Sequence, residues 1–177
     1  MTARLAIAGL LALALPAGAR AQTPAAPLPP PGCTAPESRQ FDFWVGGWDV
    51  YVNGHPDKKV AQSLIEKLYE GCAIRENWQP GQPSAGGSLS SYVPAEKGWR
   101  QTWVDSSGSR VEFTGGWTGE TMVLTGVWPQ PGHPTQLTRM TYSRQPDGAV
   151  RQLGETSDDQ GRTWQPSFDF IYREPAG

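Results

Sequence analysis

The stretch Phe41-Asp42-Phe43-Trp44-Val45-Gly46-Gly47-Trp48-Asp49-Val50 decides how the chain is read. Phe41 and Trp44 stand three apart, the spacing of a short helical run with one apolar face. Gly46 and Gly47 end that run and release the chain into a strand that starts near Trp48. A short plug followed at once by a strand suits a closed β-barrel, in which something must cover one mouth and a large indole must fill the floor.

Downstream of Trp48 no convincing helical period recurs. Gly and Pro return every eight to twelve residues, with β-branched and aromatic residues between them, the pattern of an all-β sandwich or barrel. Strands are expected at 47–53, 60–69, 72–79, 87–93, 98–105, 109–117, 120–128, 135–144, 149–157 and 163–173. The segment 60–69 is read as a strand, although Leu64, Ile65 and Leu68 also fit helical spacing. Short turn sequences such as Ser106-Ser107-Gly108, Thr118-Gly119 and Gln145-Pro146-Asp147-Gly148 join them as consecutive hairpins. Ten strands in such a meander leave two bare edges unless the sheet closes. The expected fold is therefore an all-β, antiparallel up-and-down barrel of about ten strands with a short N-terminal helix.

Upstream, residues 1–21 read as a secretory signal peptide: Arg4, an apolar run from Leu5 to Leu15, and the small-x-small site Ala19-Arg20-Ala21. Eleven apolar residues are too few for a spanning helix, and no later stretch reaches the ~20 that spanning requires. Five prolines between Gln22 and Gly32 make 22–32 an extended tether, leaving 33–177 as a single domain. Thr34-x-x-Glu37 matches a capping box leading into the plug. Without residues 1–21 the chain has 13 basic and 17 acidic residues, a net charge of −4, and no basic stripe for nucleic acid. In an oxidising compartment, periplasmic or extracellular, Cys33 and Cys72 are expected to form a disulfide.

Gly46-x-Trp48 at the head of the first strand resembles the opening motif of the lipocalin and calycin superfamily. That resemblance implies that the indole closes the barrel floor and that a late-strand base, Arg173 or Arg151, packs across it. The span Cys33–Tyr172 is similar to a family of secreted bacterial proteins built on a domain of unknown function. The likeness rests on FDFWVGGWDV, Gly71-Cys72, Trp99-Arg100-Gln101-Thr102-Trp103-Val104-Asp105, Arg139-Met140-Thr141 and the stretch from Val150 to Ser157. It implies a fold and no particular activity.

Ser157-x-Asp159-x-Gly161-x-Thr163-Trp164 matches the Asp-box pattern at each defined position. It occurs once, so it does not signal a propeller, and Asp159 and Trp164 are expected to lock one hairpin. No G-x-S-x-G or H-E-x-x-H pattern occurs, and the two histidines, His55 and His133, lie in Gly- and Pro-flanked loops. No catalytic residue, metal site or cofactor is therefore assigned. A haem barrel of the nitrobindin type would need an inward strand histidine, which the sequence does not offer.

Alternation singles out the remaining residues. Trp99, Gln101, Trp103 and Asp105 share one strand face, Glu76 and Trp78 share another with Ile74, and Arg139 shares one with Thr141. With the Pro146-Asp147 turn setting the register, Arg139 falls opposite Gly154 and diagonal to Glu155. The opposite faces, Arg100-Thr102-Val104 and Ala73-Arg75-Asn77, are too polar for a core, so the aromatic faces should turn inward. The expected ligand-contacting set is Glu76, Trp78, Tyr92, Gln101, Trp103 and Arg139, binding a small amphipathic or aromatic molecule without catalysis. An alternative is a barrel isomerase, cyclase or hydrolase using Glu76 or Glu155 with Arg139. A third reading is an envelope protein-interaction module with a packed interior, and the oligomeric state stays open.

Overall fold

The computed structural model describes residues 33–81 and 84–175; the expected signal peptide and proline-rich tether lie outside the described residues. Two 3-10 turns, Pro36–Arg39 and Asp42–Trp44, precede the sheet. The strands are β1 Gly46–Val52, β2 His55–Leu68, β3 Ala73–Pro80, β4 Gly86–Val93 and β5 Gly98–Asp105. They continue as β6 Arg110–Trp117, β7 Thr121–Val127, β8 Leu137–Arg144, β9 Val150–Ser157 and β10 Gln165–Arg173. All pair antiparallel in chain order, and β1 pairs with β10 through Asp49–Arg173 to Val52–Phe170, closing the barrel. Closure gives every strand two neighbours, so no backbone edge is left bare. Among the described residues no helix is long and apolar enough to cross a membrane.

The plug is built from the opening stretch. Phe41 and Trp44 stack with centroids 4.8 Å apart and are fully buried. Phe41 meets Tyr142 and Trp99 edge-on, and Trp44 packs on Tyr142 and Tyr172. The Trp99 indole donates to Gln40 Oε1 at 3.1 Å, and Lys67 pairs with Asp42. Cys33 is disulfide-bonded to Cys72 at the β2–β3 connection, tying the plug to the same end of the barrel.

Several expectations change. The helical run is 3-10 in form, and Thr34 caps nothing: Ala35 holds the N-cap with no side-chain bond. Segment 60–68 is strand, Tyr69 opens a 3-10 turn, and β2 begins earlier, at His55, because bulged pairing with β1 extends the ladder. Neither arginine crosses Trp48. Arg173 pairs with Asp147 at 2.8 Å and Arg151 with Asp169 at 2.7 Å, both on the outer face. The Trp48 indole instead donates to the Trp44 carbonyl at 2.9 Å and packs edge-on against Tyr172. Odd positions on β10 point outward, so no basic side chain of that strand can reach the floor.

Candidate functional site

Alternation carries the aromatic faces inward. On β3, β5 and β10 the buried or half-buried series are Ile74-Glu76-Trp78, Trp99-Gln101-Trp103 and Phe168-Phe170-Tyr172, while Arg75, Arg100 and Val104 face solvent. Because the plug stands at the start of β1, the other mouth lies at the ends of β3 and β5 and the beginnings of β8 and β10. Trp78, Trp103 and Phe168 lie toward that mouth, joined by Trp128 just past the end of β7. A cavity of about 200 Å³ lies between these rings and the plug.

The cavity has an aromatic wall and a polar floor. In the wall, Phe168 stacks on Phe170 at 5.0 Å, Phe170 meets Trp78 at 5.8 Å, and Trp128 bridges Trp103 and Phe113 at 6.2 Å from each. Phe168 occupies the space over Gly154, where an added Cβ would fall 2.2 Å from its ring. A side chain at position 154 would therefore drive Phe168 out of its place in the wall.

At the floor, Glu76 Oε1 accepts from Ser63 at 3.2 Å and Oε2 from Ser88 at 3.1 Å. Gln101 Nε2 donates to Ser90 at 2.9 Å, Gln152 Nε2 to the Tyr142 hydroxyl at 2.9 Å, and the Tyr172 hydroxyl to Gln152 Oε1 at 2.6 Å. Glu76 is 5% exposed, and none of the residues lining the cavity is basic. Loss of hydration pushes its carboxyl up from 4.5 to about 7, partly offset by the serine hydroxyls. Burial also pushes the phenols of Tyr142 and Tyr172 well above their ordinary value, so both are neutral. The floor can thus hold a proton near neutral pH at one atom pair, the Glu76 carboxyl oxygens.

Four of the six residues singled out in the sequence, Glu76, Trp78, Gln101 and Trp103, line this cavity. Tyr92 does not: at the plug end of β4 it packs on Trp99 with centroids 6.2 Å apart. Arg139 does not either. It shares the outer face with Leu137 and Thr141, pairs directly opposite Glu155, and donates two bonds to it at 2.9 and 2.7 Å. Its guanidinium also lies 4.1 Å over the Trp164 ring. The β8–β9 connection sets Arg144 opposite Val150, one step from the register expected of the Pro146-Asp147 turn. That step moves Arg139 to the direct partner of Glu155, and burial assigns the pair to the outside. Tyr142, Gln152 and Phe170 were missed; the run of aromatics at 168, 170 and 172 was the signal that could have found the last.

The Asp-box closes the β9–β10 hairpin. Asp159 accepts from the Thr163 amide and hydroxyl at 2.9 and 2.7 Å and from Ser157 Oγ at 2.8 Å, and the Trp164 indole donates to the Gly161 carbonyl.

No protein-family model matches the chain, and no curated protein matches it.

Proposed function

We propose that the protein is an exported, lipocalin-like carrier that binds a small amphipathic or aromatic molecule in the barrel without transforming it. The observation that carries this reading is the cavity of about 200 Å³ with an aromatic wall and a polar floor. An engineered cavity of about 150 Å³ holds a benzene ring, so this one accepts such a ring with a short tail. Export rests on the Cys33–Cys72 disulfide, which suits an oxidising compartment, and on the leader read from residues 1–21. A packed interaction module would have an interior with room for a few waters at most, and the cavity argues against it.

Three cavity tryptophans supply the test. Titration with small arenes of about ten heavy atoms should shift tryptophan emission, and Trp103→Ala should reduce the response. Emission that stays constant for every arene, in parent and variant alike, would overturn the binding reading.

One observation favours a second reading, an acid–base enzyme. Glu76 faces the cavity with a carboxyl near neutrality, whereas Glu155 is held by Arg139. A Glu76→Gln variant separates the two: an enzyme loses its turnover, and a carrier shows none to lose.

A further inference from the structure

We infer that the ligand of this cavity is a small aryl-alkyl amine, bound as its ammonium ion against Glu76. The inference rests on the carrier reading and specifies the chemistry of its ligand.

The hydrogen-bonding state of the floor leads to it. With Glu76 ionised, the floor's donors are already engaged within the protein: Ser63 and Ser88 donate to Glu76, Gln101 Nε2 to Ser90, Gln152 Nε2 to Tyr142, Tyr172 to Gln152, and the Tyr142 hydroxyl faces Met140 Sδ at 3.5 Å. Acceptors are in surplus. Each Glu76 oxygen takes one serine hydroxyl, and a carboxylate has room for about four donors. A guest that completes this floor must therefore bring N–H or O–H groups.

Charge narrows the guest further. A buried carboxylate without a positive partner is unfavourable, and the groups facing Glu76 from β2, β4, β8 and β10 are Ser63, Ser88, Tyr142 and Tyr172, all neutral. None of the lining residues is Lys, Arg or His. The wall adds Trp78, Trp103, Trp128, Phe113, Phe168 and Phe170, whose electron-rich faces attract cations and repel anions. An anionic guest would meet the carboxylate with no base to receive it. A cationic one finds a carboxylate at the closed end and rings along the sides. The cavity's size accepts a benzene-sized ring with a two- or three-atom tail, which is the shape of an arylethylamine.

Three isosteres decide it. 2-Phenylethylamine, 2-phenylethanol and phenylacetate are titrated at pH 8 by calorimetry and by cavity-tryptophan emission. The amine should bind about tenfold or more tightly than the alcohol, the difference between a charge-assisted and a neutral hydrogen bond, and the acid most weakly. In Glu76→Gln the amine's advantage over the alcohol should vanish. In the parent, amine affinity should weaken as pH falls from 8 to 5 and Glu76 takes up a proton, a readout that needs no variant. Equal binding of alcohol and amine, tighter binding of the acid, or amine affinity that does not weaken toward pH 5 overturns the amine assignment and leaves the cavity as a ligand site. Failure of all three to bind overturns the amine assignment and the carrier reading together.

Discussion

Glu76 concentrates the chemistry of the molecule in one side chain. Its carboxyl titrates near 7 in the folded barrel against 4.5 when hydrated, so the folded state holds the proton more tightly than the unfolded chain. Stability contributed at this position is present at low pH, declines as pH rises from about 4.5 to about 7, and levels off above that. The decline is on the order of 3 kcal/mol, from 1.36 kcal/mol per pKa unit. Glu76→Gln keeps the shape and removes the titration. Its unfolding free energy relative to the parent should improve by about 2–3 kcal/mol between pH 5 and pH 8, measured by denaturant melts at both. A difference that is the same at the two pH values would refute this assignment. The sequence made Glu76 legible because its strand alternates cleanly between Ile74, Glu76, Trp78 and the charged Arg75. Arg139 was misread because its strand, Leu137 to Arg144, carries polar and apolar residues on both faces.

At the scale of elements, the β9–β10 hairpin is held by its own side chains. Asp159 collects the Thr163 amide, the Thr163 hydroxyl and the Ser157 hydroxyl, and these bonds keep its carboxyl well below the usual range. Gly161 adopts a positive φ of 83° there, and its amide donates to Ser157 Oγ. Asp159→Ala should speed amide exchange at Gly161 and Thr163 and leave the β3–β6 ladder as protected as before. Protection lost evenly around the barrel would show that the turn is not a local lock. This hairpin was legible because its whole pattern sits within eight consecutive residues. The start of β2 and the cap of the plug were not. The first depends on bulges in β2 where it pairs with β1, and the second on Pro36 at the head of a turn that tertiary packing tightens to 3-10.

For the molecule as a whole, the plug and the closed sheet depend on each other. Phe41 and Trp44 are buried only because Tyr142, Tyr172 and Trp99 arrive from strands far along the chain. The disulfide joins positions 39 residues apart and holds the arm against the mouth it covers. Reduction should lower unfolding stability by up to about 4 kcal/mol, the loop-closure entropy returned to the unfolded chain. Amide exchange should rise first across residues 36–44, with the barrel ladders following only at global unfolding. A reduced protein as stable as the oxidised one would mean that aromatic packing alone seats the plug.

The sequence by itself determined the strand count, the hairpin order, the plug, the cysteine pair and the inward turn of the aromatic faces. Each of these follows from local periodicity or from turn residues a few positions apart. Only the tertiary structure decided which polar groups meet the cavity and which pair outside it. A one-residue step in register exchanges the two faces of a strand, and that step is set by bulges, connection geometry and partners far away in the chain.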